Sequence, residues 1–135
     1  MDIEITRDKF LGGRLVISQP KKGYRAGVDP VILAASIPAR SGESILELGC
    51  GVGVASLCLA QRVKALRITG LEILPQIAQL ARDNAQENNL PMEVIDGDLG
   101  DMPIELRNLQ FDHVMANPPY FDRSHGSVAP SVLKE

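Results

Sequence analysis

No apolar run in the chain is long enough to cross a bilayer. The longest, Gly51 to Ala60, gives way to Gln61 and Arg62, where a spanning helix needs about 20 predominantly apolar residues. The first residues carry Asp2, Glu4, Arg7, Asp8 and Lys9 in place of the basic-then-apolar pattern of a secretion leader. Both absences point to a cytoplasmic protein with no membrane partner. Cysteine is scarce as well: Cys50 and Cys58 have no partner pairs at metal-ligand spacing, so no metal is expected and both read as small buried thiols. His113 stands in a strand pattern and His125 in a polar tail, apart from any obvious nucleophile or carboxylate, which favours structural or surface roles over catalysis. Internal repeats and low-complexity tracts are also missing.

What the chain does have is 135 residues, 44% of them apolar, enough for one globular domain with a single core. Its net charge of −3 hides an asymmetry. Residues 1–40 hold seven Lys/Arg against four Asp/Glu, and the remainder holds seven against thirteen. Lys9, Arg14, Lys21, Lys22 and Arg25 therefore form a basic arm able to meet nucleic-acid phosphates, although an ordinary solvated face accounts for them slightly better.

Gly12-Gly13 between the short runs Lys9 to Leu11 and Arg14 to Ser18 suits a hairpin turn. Pro20, Gly23 and Gly27 keep the next segment irregular until Asp29-Pro30 supplies an N-cap and a first-turn proline for a short helix stopping near Pro38. From Ser44 the pattern becomes βαβ: a strand to Leu48, a glycine loop, a helix to about Arg62 and a strand from Ala65 to Glu72. Such alternation implies a parallel sheet. A further helix opens at Pro75, with Ile77, Leu80, Ala81 and Ala85 on one face, and ends at Asn88-Asn89 before Pro91. Strands follow at Met92 to Ile95 and Phe111 to Ala116, with at most a short helix between Asp101 and Asn108. Two regions result: 1–40, a hairpin and short helix, and 41–135, an α/β core.

Chemistry concentrates at the carboxyl ends of the strands, where open α/β sheets bind ligands. Glu47-Leu48-Gly49-Cys50-Gly51-Val52-Gly53 leads from a strand into a helix, so glycines allow a sharp turn and close approach while the helix offers free N–H donors. A dinucleotide fingerprint would need glycine where Val54 stands, and the Lys-Ser/Thr pair of a P-loop is absent. The remaining acid-x-G-x-G-x-G form resembles the first motif of class I methyltransferases. Glu72 ends the next strand, nineteen residues after Gly53, where a carboxylate can accept hydrogen bonds from both hydroxyls of a ribose. Asp98, after the third strand, can accept the exocyclic N–H of an adenine lying against Ile73 and Leu99, although turn chemistry explains Asp96-Gly97 as well.

The fourth strand ends in Asn117-Pro118-Pro119-Tyr120. Two prolines cannot extend a ladder and instead fix a rigid loop at the ligand edge. The Asn117 side-chain oxygen and the Pro118 carbonyl can accept both hydrogens of a planar amine, favouring the pyramidal, positively charged geometry it reaches as it attacks a methyl group. Tyr120 would stack on the planar group and align its nitrogen. Asn117, an amide, cannot be a general base, so the proton leaves after transfer.

In these motifs and their order the chain resembles the amino-terminal half of the bacterial tRNA-valine adenine-N6 methyltransferase family, a relative of other N-P-P-Y methyltransferases. The basic hairpin, Gly27-Val28-Asp29-Pro30-Val31-Ile32-Leu33, Glu47 to Gly53 and Asn117 to Tyr120 carry the likeness over nearly the whole chain. The resemblance implies a Rossmann-like methyltransferase fold, S-adenosylmethionine as donor, and an adenine of tRNA next to the anticodon as acceptor. It places Gly49, Gly51 and Gly53 of the Glu47 motif at the cofactor's methionine end, Glu72 at the ribose, Asp98 at the adenine, Asp29 at the side of the cofactor site, and Asn117 to Tyr120 at the amine. Such chains continue past the N-P-P-Y loop with a helix and three more strands, whereas this sequence ends at Glu135, so residues 1–135 alone are expected to bind cofactor weakly and turn over little. The alternatives are a ribosomal RNA base or a release-factor glutamine amide as acceptor, a noncatalytic cofactor-binding piece, and a nicotinamide dehydrogenase, which Val54 and the motif order oppose.

Overall fold

The computed structural model describes residues 3–23 and 26–116. Two strands open the fold, β1 (Ile5–Phe10) and β2 (Leu15–Pro20), paired antiparallel from Phe10↔Leu15 to Ile5↔Pro20. Left-handed backbone at Leu11, Gly12 and Gly13, with φ of 54°, 66° and 89°, turns the chain between them; the two glycines adopt it without the Cβ clash of other residues. The hairpin runs further than its apolar residues suggested, and Pro20 closes its ladder instead of lying beyond it. β1 alternates between half-buried and exposed, while β2 buries Leu15 and Ile17 completely.

Helix α1 (Asp29–Ser36) starts one residue earlier than a capping role for Asp29 requires. Val28 occupies the cap position with helical dihedrals, no side chain caps the turn, and Asp29 is instead the acid of the first turn, where it complements the positive end of the helix. At the other end Ile37 turns extended, as the residue before a proline must. There Arg62 donates to the carbonyls of Ala34 (3.0 Å) and Ile37 (2.7 Å), closing the C-terminus from a neighbouring helix.

The main sheet is parallel, with strand order β5-β4-β3-β6: β3 (Ser44–Leu48), β4 (Arg67–Glu72), β5 (Glu93–Asp96) and β6 (His113–Ala116). Helices α2 (Val54–Arg62) and α3 (Pro75–Glu87) make the crossovers, and α4 (Ile104–Arg107) is a single turn before β6. β4 begins at Arg67 and not at Ala65, whose φ of 60° cannot enter a ladder. Ser44 and Asp112 pin the start of β6 to β3, with Ser44 N–H on the Asp112 carboxylate (2.8 Å) and Asp112 N–H on the Ser44 hydroxyl (3.0 Å). One core unites Leu15 and Ile17 of the hairpin, Ala34 of α1, Ile45, Ile68 and Met115 of the sheet, and Leu57 and Leu59 of α2. It crosses the boundary drawn at residue 40. Both cysteines are buried free thiols. No described helix is long and apolar enough to cross a membrane.

α3 contacts the rest through small and polar residues. Ala78, Ala81, Asn84 and Ala85 are its buried positions, whereas Ile77 and Leu80, expected on the same face, are only partly buried. The reason is polar. β2 has β1 on one edge, and its other edge needs partners for backbone groups. Asn84 accepts from Ser18 N–H (2.9 Å) and donates to Ser18 C=O (3.0 Å), and one turn on Asn88 does the same for Val16 (3.0 and 2.8 Å). Two side-chain amides thus act as a substitute strand.

Close approach also fixes Gly70 in β4. A Cβ there would lie 2.7 Å from Cys50 Sγ and from Met92 Cε, beneath the loop that follows β3. Gly70→Ala should cost about 1–3 kcal/mol of stability by overpacking, read as a lower denaturant midpoint in the complete protein. A variant as stable as its parent would contradict this packing.

Candidate functional site

The loop from β3 to α2 turns through three glycines with φ of 66° (Gly49), 58° (Gly51) and 98° (Gly53). Gly53 is the left-handed residue immediately before α2. Cys50 N–H donates to Leu71 C=O (3.0 Å), tying the loop to the end of β4. There Glu72, only 8% exposed, accepts Gly51 N–H on Oε1 (2.9 Å) and Leu74 N–H on Oε2 (3.1 Å). The carboxylate is therefore locked in place, and among the described residues each oxygen keeps a second lone-pair direction open to a ligand hydroxyl.

A cavity of about 640 Å³ opens at this edge, within the usual size range of small-molecule sites. Gly49, Cys50, Gly51 and Val52 form one wall, Glu72 and Ile73 to Ile77 a second, and Ile3, Gln19, Pro20, Lys22, Gly23 and Ala26 a third. Among the described residues a Cβ on Gly51 would meet nothing within 4 Å, so the bare backbone leaves space where a ligand can approach. Ile73 and Leu74 expose 57% and 56% of their surface, an apolar ledge beside the carboxylate.

Beneath the loop lies Glu47, fully buried. Ser56 of α2 donates to its Oε1 at 2.6 Å, and Oε2 has no hydrogen-bond partner among the described residues. Burial pushes its pKa up to about 8, against the lowering effect of the Ser56 hydrogen bonds and with a further push from the Glu72 charge. A carboxyl in this setting is protonated at neutral pH. Burial also pushes the Cys58 thiol up to about 11 and holds the Cys50 thiol well above its ordinary value, so neither is a reactive thiolate.

Of the residues singled out in the sequence, Gly49, Gly51, Glu72 and Ile73 meet at the cavity wall. Glu47 and Gly53 support the loop from below and behind. Asp98 occupies an exposed turn after β5, where Oδ1 accepts Gly100 N–H (2.9 Å); neither it nor Leu99 lines the cavity, although Gly97 N–H on Glu72 C=O (3.0 Å) keeps that turn at the same sheet edge. Asp29 is exposed on α1, also outside the lining. Asn117 to Tyr120 and Arg25 lie outside the described residues. The third wall has no local sequence signal: Lys22 falls within the basic arm and Gln19 within no motif. Gln19 is buried, donating to Asp8 (2.8 Å) and accepting Ala26 N–H (2.8 Å), which holds Ala26 at the cavity wall.

The profile of the Methyltransferase small domain family matches residues 26–135. The chain belongs to this family. Among curated members, a tRNA1(Val) (adenine(37)-N6)-methyltransferase of Porphyromonas gingivalis is 36% identical over 125 residues, and one of Photorhabdus laumondii 31% over 121. Each alignment takes in 87% of this chain and 49% of the relative, so the chain spans about half the length of the curated relatives it matches. A Methanocaldococcus jannaschii protein, provisionally named as a protein N5-glutamine methyltransferase, is 30% identical over 82% of this chain and 53% of its own. The fold is shared with a solved Thermus thermophilus 16S rRNA N2 G1207 methyltransferase (TM-score 0.69, 21% identity, 90% of this chain and 34% of that one). A Pyrococcus abyssi tRNA (uracil-54, C5)-methyltransferase shares it too (TM-score 0.66, 21% identity, 88% and 29%).

The buried acid of this small-domain fold makes stability depend on pH. Glu47 holds its proton up to about pH 8 when folded, against an ordinary value of 4.5. Between those values the unfolded chain binds fewer protons than the folded one, so stability falls as pH rises through the window. Glu47→Gln, neutral at every pH, should melt several degrees above the parent at pH 8 and no differently at pH 4.5. Parallel melting curves for the two proteins from pH 4.5 to 8 would show that Glu47 is ionised in the fold.

Proposed function

We propose that the chain forms the cofactor-binding part of an S-adenosylmethionine-dependent N-methyltransferase that modifies an exocyclic amine, N6 of an adenine in tRNA next to the anticodon. The observation that carries this reading is the Glu72 carboxylate, immobilised by Gly51 and Leu74 N–H at the wall of a cavity floored by glycine backbone. An adenosine-type ligand suits that wall: ribose hydroxyls on Glu72, a purine against the Ile73-Leu74 ledge, and the remaining chain along Gly49 to Gly51. When bound, S-adenosylmethionine supplies a methyl group on a positively charged sulfur. Glu72 and the glycine backbone orient the donor and hold it at the sheet edge. Asp98 and Leu99, on the neighbouring turn, are proposed to border the adenine, and Asp29 to flank the site.

β6 runs beside β3, with Ala116 opposite Leu48, so the strand preceding Asn117 ends level with the start of the glycine loop. In our reading the Asn117 side chain and Pro118 carbonyl accept the two hydrogens of the acceptor amine, Pro119 stiffens the loop, and Tyr120 stacks on the base. The names of the curated relatives support tRNA as acceptor, as do the exposed Lys9 and Arg14 on the hairpin. The setting we infer is the cytoplasm. A glutamine amide of a protein is the second reading, favoured by the relative named for that modification; a ribosomal RNA base presents the same planar amine.

Calorimetric titration of the complete protein should detect binding of S-adenosylmethionine and S-adenosylhomocysteine but not of NAD, and Glu72→Ala should weaken both by about tenfold or more, as loss of a charged hydrogen-bond partner requires. Binding of NAD alone would overturn the reading. With tritiated S-adenosylmethionine, label should enter total tRNA ahead of ribosomal RNA or protein, and Asn117→Ala should slow it by about 10²-fold. Label confined to protein would transfer the assignment to the glutamine reading.

A further inference from the structure

We propose that Asn84 is a positioning residue for the cofactor site, one buried amide that holds two of the cavity walls in register and links ligand occupancy to the order of the hairpin. This inference rests on the cofactor reading above. Asn84 lies on α3, completely buried, and its amide is spent in full: Oδ1 accepts Ser18 N–H (2.9 Å), while Nδ2 donates to Ser18 C=O (3.0 Å) and to Val52 C=O (2.9 Å). An amide nitrogen has two hydrogens, and each goes to a different wall.

On the loop side, Val52 follows Gly51, whose N–H is held by Glu72 at 2.9 Å. The Gly51-Val52 pair is thus gripped from β4 and from α3. On the hairpin side, Ser18 precedes Gln19, which lines the cavity and accepts Ala26 N–H at 2.8 Å. The linkage runs Val52, Asn84, Ser18, Gln19, Ala26, through buried bonds at Ser18 and partly buried ones at its two ends. Asn88 provides the contrast. It bonds Val16 at both backbone groups and Asn84 C=O (2.7 Å), holding the hairpin without touching the loop.

A ligand that binds between two walls stabilises whatever keeps them apart at the right distance, and by reciprocity loss of that link weakens the ligand. Asn84→Asp keeps the acceptor for Ser18 N–H but sets a carboxylate against the carbonyls of Ser18 and Val52. Expected in the complete protein is a loss of about tenfold or more in S-adenosylhomocysteine affinity, within the usual range of coupling between sites. Asn88→Ala should lose less than about threefold. Leu59→Ala, a cavity in α2 remote from the ligand, should lower the melting temperature at least as much with affinity unchanged.

Hydrogen exchange compared at equal ligand saturation, at Ser18 relative to the core Ile68 amide of β4, supplies a readout that overall stability alone does not move. Ligand should slow exchange at the Ser18 amide in the parent and in Asn88→Ala, and leave it unaffected in Asn84→Asp. Should Asn84→Asp not fold, Asn84→Ser replaces it, and the parent's exchange remains decisive: no slowing at Ser18 overturns the proposal. If Asn84→Asp binds with the parent's affinity, the positioning role fails while the cofactor reading stands. If the parent takes up neither S-adenosylmethionine nor S-adenosylhomocysteine, both fail.

Discussion

The free edge of β2 is the constraint around which the amino-terminal part of the fold is arranged. A two-stranded hairpin is marginal in water, and its outward N–H and C=O groups must find partners once the apolar side is buried. β2 buries Leu15 and Ile17 in the same core as α2 and the central strands, so solvent cannot serve that edge. α3 serves it with amides four residues apart, which is the helical repeat. Two residues along a strand span roughly 6.6 Å and one helical turn about 5.4 Å, close enough for flexible amides to match alternate residues. The cost is that α3 presents alanine, not leucine, to its closest neighbours.

That docking determines the shape of the ligand cavity. Without the hairpin, the glycine loop and the start of α3 would form an open ledge at the sheet edge. With Ser18 fixed to α3, Gln19 and Pro20 stand opposite Gly49 to Val52 and convert the ledge into a cavity with three walls. The Asp8–Gln19–Ala26 hydrogen bonds hold Ala26 beside the same space. Hairpin and core are two regions in sequence composition, but the cavity takes residues from both.

Much of this was legible in the residues. Alternating apolar strands and helices with a glycine loop between them specify a parallel sheet and put ligand chemistry at its carboxyl edge, and Glu72 was found because an acid at the end of the second strand has one direction in which to point. Gly12-Gly13 announced its hairpin through positive φ. Other features lie outside local patterns. Asn88 reads as a helix-ending residue and Asn84 carries no local signal, since nothing in the run ARDNAQENN says that Ser18, 66 residues from Asn84, needs its amide. Gln19 was silent for the same reason. Asp29 carried a capping signature, yet Val28 continued the helix by one residue and left the acid in the first turn. Glu47, read with the cofactor motif, proved to be packed under the loop, because its strand position points it at Ser56.

Glu47 also shows how support for a ligand loop can work against stability. An apolar residue of similar size at that position would remove a desolvated carboxyl with one oxygen unpartnered among the described residues, a group whose burial is costly. Its immediate neighbour, Ser56, lies on α2 behind the loop, so the acid ties the helix to the central strand at the point where the chain turns through Gly49 and Gly51. Among the described residues, those lining the cavity above fall between Ile3 and Ile77, whereas the residues proposed to receive the acceptor amine begin at Asn117. In the proposed reading, donor binding and acceptor recognition use different stretches of the chain, joined where β6 runs beside β3. A change at Glu72 or Asn84 should alter uptake of the donor without touching the groups that select the acceptor, and a change at Asn117 should do the reverse. That separation follows from the parallel sheet itself, which brings successive strand ends to one edge and lets each contribute a different function there.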